Sequence, residues 1–347
     1  MRRLRRRERA WSLALTLLVG CSRAPVAPAP DADAAIRRGL AFLRAQQSAD
    51  GSYGDHPGLT SLALLSFARC PPQARPSDGP HVARAVAYLE KLARPDGSVV
   101  AEDNPGYSTA LAILAFEKLG VRADLVRAGR RYLAAIQSED GGIGYGRDGR
   151  SDLSNLVFAL DALVATEGLA APVFVAPDTT PEAEGQPVDH KAVLRRARAF
   201  IERCQGPDGG FRYQPEASKA GALNSYGSMT YAGVRSLVYC EVPRDDPRVV
   251  AAWRWIRDHY TLESHPGMGG KGLYYYYQTF AQTLRLWGER EIVDARGVKH
   301  DWRRELRAKL VSLQRADGAW RNDDPQFWEQ NPILATTRAL LALAETL

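Results

Sequence analysis

The sequence predicts an all-α fold: an α/α toroid of six helical hairpins, amphipathic helices outside and apolar helices inside. Two observations predict it. First, one short pattern recurs, in AFLRAQQSADGSYG (41–54), AYLEKLARPDGSV (87–99), RYLAAIQSEDGGIGYG (131–146), AFIERCQGPDGGFRY (199–213) and KLVSLQRADGAW (309–320). Units of this size bury an apolar face only against a neighbour, so they stack. Second, two kinds of helical stretch alternate around the pattern. One kind spaces apolar residues helically with Arg and Glu between, as in Ala197, Phe200, Ile201 and Cys204. The other is apolar nearly all round, as in STALAILAF and ILATTRALLALA, and such a helix is buried on every side.

The aspartates Asp50, Asp96, Asp140, Asp208 and Asp317 set the register, at intervals of 46, 44, 68 and 109 residues. The third interval carries LAAPVFVAPDTTPEAEGQPVDH (169–190), a Pro-rich acidic surface insertion. The fourth is about twice a repeat, so it hides a degenerate copy, AAWRWIRDHYTLESHPGMGG (251–270). There Trp255 stands eight residues before Glu263, as Phe42 stands eight before Asp50. The outer helices are then expected near 34–47, 81–93, 123–138, 190–205, 247–260 and 301–315. The inner helices are expected near 58–69, 106–119, 152–166, 226–240, 273–287 and 333–346. In each Asp-Gly turn the glycine reaches backbone angles closed to other residues, and the aspartate accepts local hydrogen bonds. Gln47, Gln137, Gln205 and Gln314 each stand three before the aspartate and can bind backbone groups where helices end. Tyr53, Phe211 and Trp320 follow the glycine and can pack on the turn.

The first twenty residues read as an export signal rather than as part of the ring. Six arginines up to Arg9 precede a short apolar run, and Leu18-Val19-Gly20-Cys21 resembles a bacterial lipobox. The run is too short to span a bilayer. Cys21 is the expected lipidation site, followed by Ser22, and residues 21–33 read as a Pro/Ala-rich tether. This places residues 34–347, one toroid domain, in the cell envelope, as an outer-membrane lipoprotein held by its lipid anchor. The formal charge of +6 belongs largely to the signal, which holds six Arg and one Glu. The rest of the chain has 40 basic against 39 acidic residues, so nucleic acid is not an expected partner. Cys70, Cys204 and Cys240 are odd in number and show no metal-type spacing, and they read as buried apolar residues. No metal or cofactor is expected.

The aromatic-Leu, Gln, Asp-Gly, aromatic pattern resembles the repeat of squalene–hopene cyclases and protein prenyltransferase β subunits. Nearly all of residues 34–347 share it. The segments SYGSMTYAG (225–233), DDPRV (245–249), GLYYYYQTFA (272–281) and KHDWR (299–303) look most similar to bacterial prenyltransferase/squalene oxidase repeat proteins. The resemblance implies the toroid. It does not carry over the catalytic residues. The Asp-x-Asp-Asp proton donor of squalene–hopene cyclases is missing, as are the prenyltransferase Asp-x-Cys zinc set and the Cys-Gly-Glu-Gln of thioester toroids.

The inner-helix N-termini should converge on one rim, where free N–H groups favour anions or carbonyl oxygens. The expected ligand-pocket residues are Tyr107, Ser108, Asn155, Tyr226, Tyr231, Tyr274, Tyr275, Tyr276, Tyr277, Gln278 and Trp328. Asp152, Asp323, Asp324 and Glu329 are the candidate acids, although Asp152, Ser154 and Asn155 are also favoured helix caps. Four consecutive tyrosines cannot share one helix face, so part of that run packs outward. His300-Asp301 reads as a cap of the sixth outer helix. The expected function is binding of a hydrophobic or peptide ligand in an aromatic funnel. The alternative is an enzyme: an isoprenoid cyclase with a relocated acid, or an envelope-polymer hydrolase or lyase.

Overall fold

The structure, a computed structural model, describes residues 31–72, 79–102, 104–147, 149–169 and 189–347. Cys21, the lipobox, most of the tether and most of the 169–190 insertion lie outside the described residues. The described residues contain twelve α-helices in six successive pairs. They are α1 (Ala32–Ala45) with α2 (Pro57–Arg69), α3 (Pro80–Lys91) with α4 (Pro105–Leu119), and α5 (Ala123–Ala135) with α6 (Leu153–Ala165). Then come α7 (His190–Cys204) with α8 (Gly227–Tyr239), α9 (Pro247–Asp258) with α10 (Leu273–Trp287), and α11 (Trp302–Leu313) with α12 (Pro332–Ala344).

Even-numbered helices form the inner ring. Each packs on the next, α2 on α4 through to α10 on α12, and α12 returns to α2. Their sequences explain the position, because α2 is buried without a break from Pro57 to Phe67. Odd-numbered helices bury one stripe, such as Val193, Ala197, Phe200, Ile201 and Cys204 of α7. Several outer helices lean on the inner helix before them in the chain, α3 on α2, α5 on α4 and α9 on α8, whereas α7 packs on both α6 and α8. By the same rule α1 leans on α12, which closes the ring. The degenerate copy is real: α9 and α10 form the fifth pair. A short ribbon, β1 (Ile292–Val293) with β2 (Lys299–His300), was not expected and joins α10 to α11.

The recurring turn is a latch between repeats. Gln47 Nε2 donates to Gly51 O at 3.0 Å and to His81 O, in the next outer helix, at 2.7 Å. Gln137, Gln205 and Gln314 repeat this on Val193, Arg248 and Ala35. The Gln314 bond to Ala35 joins the last turn to the first helix. The turn glycine adopts positive φ and lies against the same outer helix: a Cβ on Gly141 (φ 87°) would stand 2.0 Å from Arg196 O. The aspartate binds forward, as Asp50 Oδ1 accepts from Ser52 N at 3.0 Å. Tyr53, Phe211 and Trp320 are fully buried behind their turns. Cys204 is also fully buried, so it faces the core between the rings, and burial pushes its thiol well up.

Candidate functional site

All six inner helices send side chains into one cavity of about 290 Å³ at their N-terminal end. Leu59 comes from α2, Tyr107 from α4, Ser154, Asn155 and Phe158 from α6, Ser228 and Met229 from α8, Tyr275 from α10, and Leu334 and Arg338 from α12. Most of these lie in the first turn of their helix. Loops add His56, Tyr145, Tyr213, Lys219, Tyr226, His265, Phe327 and Trp328. The rings pack on one another. Tyr107 meets Phe158 edge-on at 5.1 Å, and Phe158 stacks on Tyr275 at 6.0 Å. The Tyr275 hydroxyl lies 2.8 Å from Ser154 Oγ, and burial pushes its pKa up to about 12. Burial also raises Tyr107 and Tyr226, so these phenols stay neutral at ordinary pH.

The expectation of a rim of free N–H groups is overturned, because the helix ends are capped. His56 Nδ1 accepts from Gly58 N at 3.0 Å in α2, and Gly106 N of α4 donates to Tyr145 O at 2.7 Å. Asp152 Oδ1 accepts from Asn155 N at 2.8 Å in α6, and His265 Nε2 accepts from Ser228 N at 2.9 Å in α8. Glu329 accepts from Tyr274 N at 3.1 Å and Tyr275 N at 2.7 Å in α10, and Asn331 caps α12. Positive charge comes from side chains instead. Arg338 Cζ lies 4.6 Å from the Tyr275 ring centroid, and Lys219 Nζ lies 3.9 Å from that of Tyr213.

Of the predicted pocket residues, Tyr107, Asn155, Tyr226, Tyr275 and Trp328 line the cavity. The others do not. Ser108 and Tyr231 are buried in the core, Tyr231 against Tyr276 and Phe280. Tyr276 and Tyr277 turn outward to bind Thr261 O and Leu262 O, and Tyr274 reaches Arg321 O. A helix turns about 100° per residue, so only Tyr275 of the four faces the axis. Gln278 lies behind the wall and holds Arg338.

The candidate acids are capping groups or turn residues. Asp152 is 1% exposed, and its second oxygen accepts from Asn155 Nδ2 at 2.7 Å. Burial raises its pKa against the pull of Asn155. Glu329 is fully buried, raised by burial, and takes a third bond from Asn322 Nδ2 at 2.8 Å. Asp324 folds its own turn by accepting from Gln326 N, and Asp323 gives its carbonyl to Gln330. Asp301 caps α11 through Arg304 N at 3.1 Å. Among the described residues no group of three or more His, Cys, Asp and Glu could hold a metal ion.

Sequence reasoning missed His56, His265, Phe158, Lys219 and Arg338. One signal was available. Arg338 interrupts ILATTRALLALA, a helix otherwise apolar all round, where a charge must have a reason. The mouth has its own signature. Phe327 (φ 62°) and Trp328 (φ 61°) are successive non-glycine residues in the left-handed region, and Trp328 is 66% exposed over the opening.

The fold is an α/α toroid similar to that of terpene cyclases. In sequence, the chain is 28% identical over 193 residues to a drimenyl diphosphate synthase of Streptomyces showdoensis, and 31% identical over 141 residues to a squalene–hopene cyclase of Bradyrhizobium diazoefficiens. These matches cover 52% and 32% of this chain but span only 33% and 21% of those proteins. Among solved structures, the type II terpene cyclase of Scytonema bound to merosterolic acid A superposes with a TM-score of 0.58 at 14% identity, covering 90% of this chain and 96% of that one. A glycosidase bound to glucose superposes at 0.51 and 16% identity, covering 91% and 96%. Identities this low establish the fold alone. No family model matches the chain.

Proposed function

We propose that this chain is an envelope protein, anchored by a lipid on Cys21, that holds a small apolar ligand in the inner-helix cavity without cyclising it. One observation carries the reading. Among the described residues, the cavity wall is made of aromatic rings, aliphatic side chains, small polar groups and two cations, with no carboxylate. Cyclisation that starts by protonating an alkene needs an acid facing the ligand. Asp152 and Glu329 stand behind the wall as acceptors, with both oxygens engaged. The Arg338 guanidinium also covers the Tyr275 ring, the kind of face that would otherwise stabilise a carbocation. Polymer cleavage by paired carboxylates lacks support on the same ground.

The rival reading is a cyclase with Asp152 as relocated acid. It is favoured by the burial that makes the Asp152 proton harder to lose. Incubating the purified chain with squalene and with geranylgeraniol separates the two. The binding reading expects unchanged polyprene by mass spectrometry, and native mass spectra that retain ligand. A cyclised product that disappears in Asp152→Asn would replace it with the cyclase. The anchor has a separate test. A palmitate analogue should label the wild type in cells and not Cys21→Ala, and equal labelling of both would remove the lipoprotein reading.

A further inference from the structure

Two inner-helix arginines are buried, and the fold treats them differently. Arg235 of α8 is 1% exposed. Its Nη2 donates to Asp161 Oδ2 at 3.0 Å and its Nη1 to Gln282 Oε1 at 2.6 Å, so its charge is answered, although its Nε is also buried without a hydrogen-bond partner among the described residues. Arg338 of α12 is 8% exposed and has no such acid. Its Nη1 donates to the neutral Gln278 Oε1 at 2.8 Å. Its Nε is buried with no hydrogen-bond partner among the described residues. Glu329 acts on it only from a distance, with its oxygens already taken by Tyr274, Tyr275 and Asn322. Withdrawing a guanidinium from water without a contacting anion is unfavourable.

The position of Arg338 says where the missing anion belongs. It is six residues past Pro332, about 9 Å along the helix from the rim at the usual rise per residue. Most other helical lining comes from first turns, so Arg338 is the floor of the cavity. The Tyr275 ring covers one face of the guanidinium, and Gln278 takes one amino group. Nε is sealed from the cavity, which leaves the outer edge, with Nη2 and the second hydrogen of Nη1. Such an edge pairs with two coplanar oxygens, the shape of a carboxylate. Above it stand Tyr107, Phe158 and Tyr275, flat apolar walls for the rest of a molecule. The Ser228 hydroxyl, also in the wall, is buried without a partner among the described residues.

The geometry points to a small aromatic or apolar carboxylic acid as ligand, entering carboxylate first and pairing with Arg338 at the cavity floor. This rests on the ligand-binding reading above and adds the class and orientation of the ligand. The test is calorimetric titration of the full chain with 2-naphthylacetate and with its neutral match, 2-naphthylacetamide. The expected result is that the carboxylate binds at least tenfold more tightly than the amide. In Arg338→Gln the two should bind within about twofold of each other, at the affinity the wild type shows for the amide. Arg338→Lys, which keeps the charge and loses the fork, should lose most of the preference and guards against a folding defect in the Gln variant. Lys219→Met should keep the preference. Equal binding of both probes to the wild type would overturn the carboxylate inference and leave the cavity reading standing. Binding of neither would overturn both. A preference that survives in the Arg338 variants and vanishes in Lys219→Met would move the anion to the mouth and refute the orientation.

Discussion

His265 works in this site only as a neutral imidazole. Its Nε2 accepts from Ser228 N at 2.9 Å, so Nδ1 carries the proton and donates it to Lys271 O at 2.7 Å, and the ring stacks on Tyr276. Burial lowers its pKa from 6.5 to about 4. A depressed pKa gives stability that is present above pH 6.5 and lost as pH falls towards 4, because the unfolded chain takes the proton first. The loss over that window is about 3 kcal/mol. Urea unfolding of the wild type should weaken by roughly that amount from pH 7 to pH 4, and His265→Gln should show a flatter profile. Parallel profiles would mean that His265 titrates normally. Asp152 has the opposite sign. Its raised pKa means that its contribution is present at low pH and lost as pH rises through the folded value. Asparagine caps about as well as aspartate. Asp152→Asn should therefore melt within about 2 °C of wild type, or slightly higher, at pH 7, with the comparison shifting towards the wild type on acidification. A fall of many degrees at pH 7 would show that the charge itself holds α6. Both residues were hard to weigh in the sequence, because their roles depend on which backbone groups the fold brings to them.

At the scale of the element, the repeat is held by a polar latch that includes one residue type not anticipated. The residue after the Asp-Gly turn donates its N–H to a threonine on its own inner helix: Tyr53 to Thr60 and Trp320 to Thr336, each at 3.0 Å. Val99 and Phe211 do the same to Thr109 and Thr230. Each threonine answers a buried N–H that no helix bond reaches. Thr336→Val keeps the shape and orphans the Trp320 amide, a cost of about 1–3 kcal/mol. Chemical denaturation should show that loss, and an unchanged midpoint would mean that water or a shifted backbone replaces the hydroxyl. The glycines are tighter still. Gly141→Ala would place a methyl 2.0 Å from Arg196 O at a positive φ, so α7 must move away. That variant should lose more stability than Thr336→Val, measured under the same conditions. The tyrosine run shows the limit of reading an element alone. Its composition showed that part of it must face inward, but the helix phase that picks Tyr275 is set by packing on α8 and α12.

For the whole molecule, the decisive fact is closure. The outer helices α3, α5 and α9 rest chiefly on the repeat before them, and α1 rests on α12. Gln314 completes the circuit by binding Ala35 O at 2.9 Å, across nearly the full length of the ring. A chain ended at residue 300 would expose the apolar sides of α2 and α10 that α12 covers. It should be aggregated or oligomeric by size-exclusion chromatography, with helical circular dichroism falling by more than the share of the deleted helices. A monomeric, fully helical truncation would show that the repeats are autonomous. The cavity depends on the same closure, since its wall takes residues from all six inner helices.

The sequence by itself determined the ring. Periodicity of apolar residues and the recurring turn are local properties, and a unit that cannot bury its own face has to stack. It also pointed to the end that carries the cavity, because Tyr107, Asn155, Tyr226 and Trp328 lie at or just before the inner-helix N-termini. Only the tertiary structure decided what that end can do. It capped the helix ends that the sequence left open, and it turned Asp152 and Glu329 from candidate acids into cap acceptors. It sent Tyr231, Tyr276 and Tyr277 into the packing. It separated Arg235, which meets Asp161, from Arg338, which meets no contacting carboxylate among the described residues. The physical reason is that charge and hydrogen bonding are settled between residues far apart in the chain. Gln278 lies sixty residues from Arg338, and Glu329 lies fifty-four from the Tyr275 amide it caps. A pattern along the chain fixes which residues share a helix face, but only the closed ring brings those faces together and leaves Arg338 at the cavity without an acid in contact among the described residues.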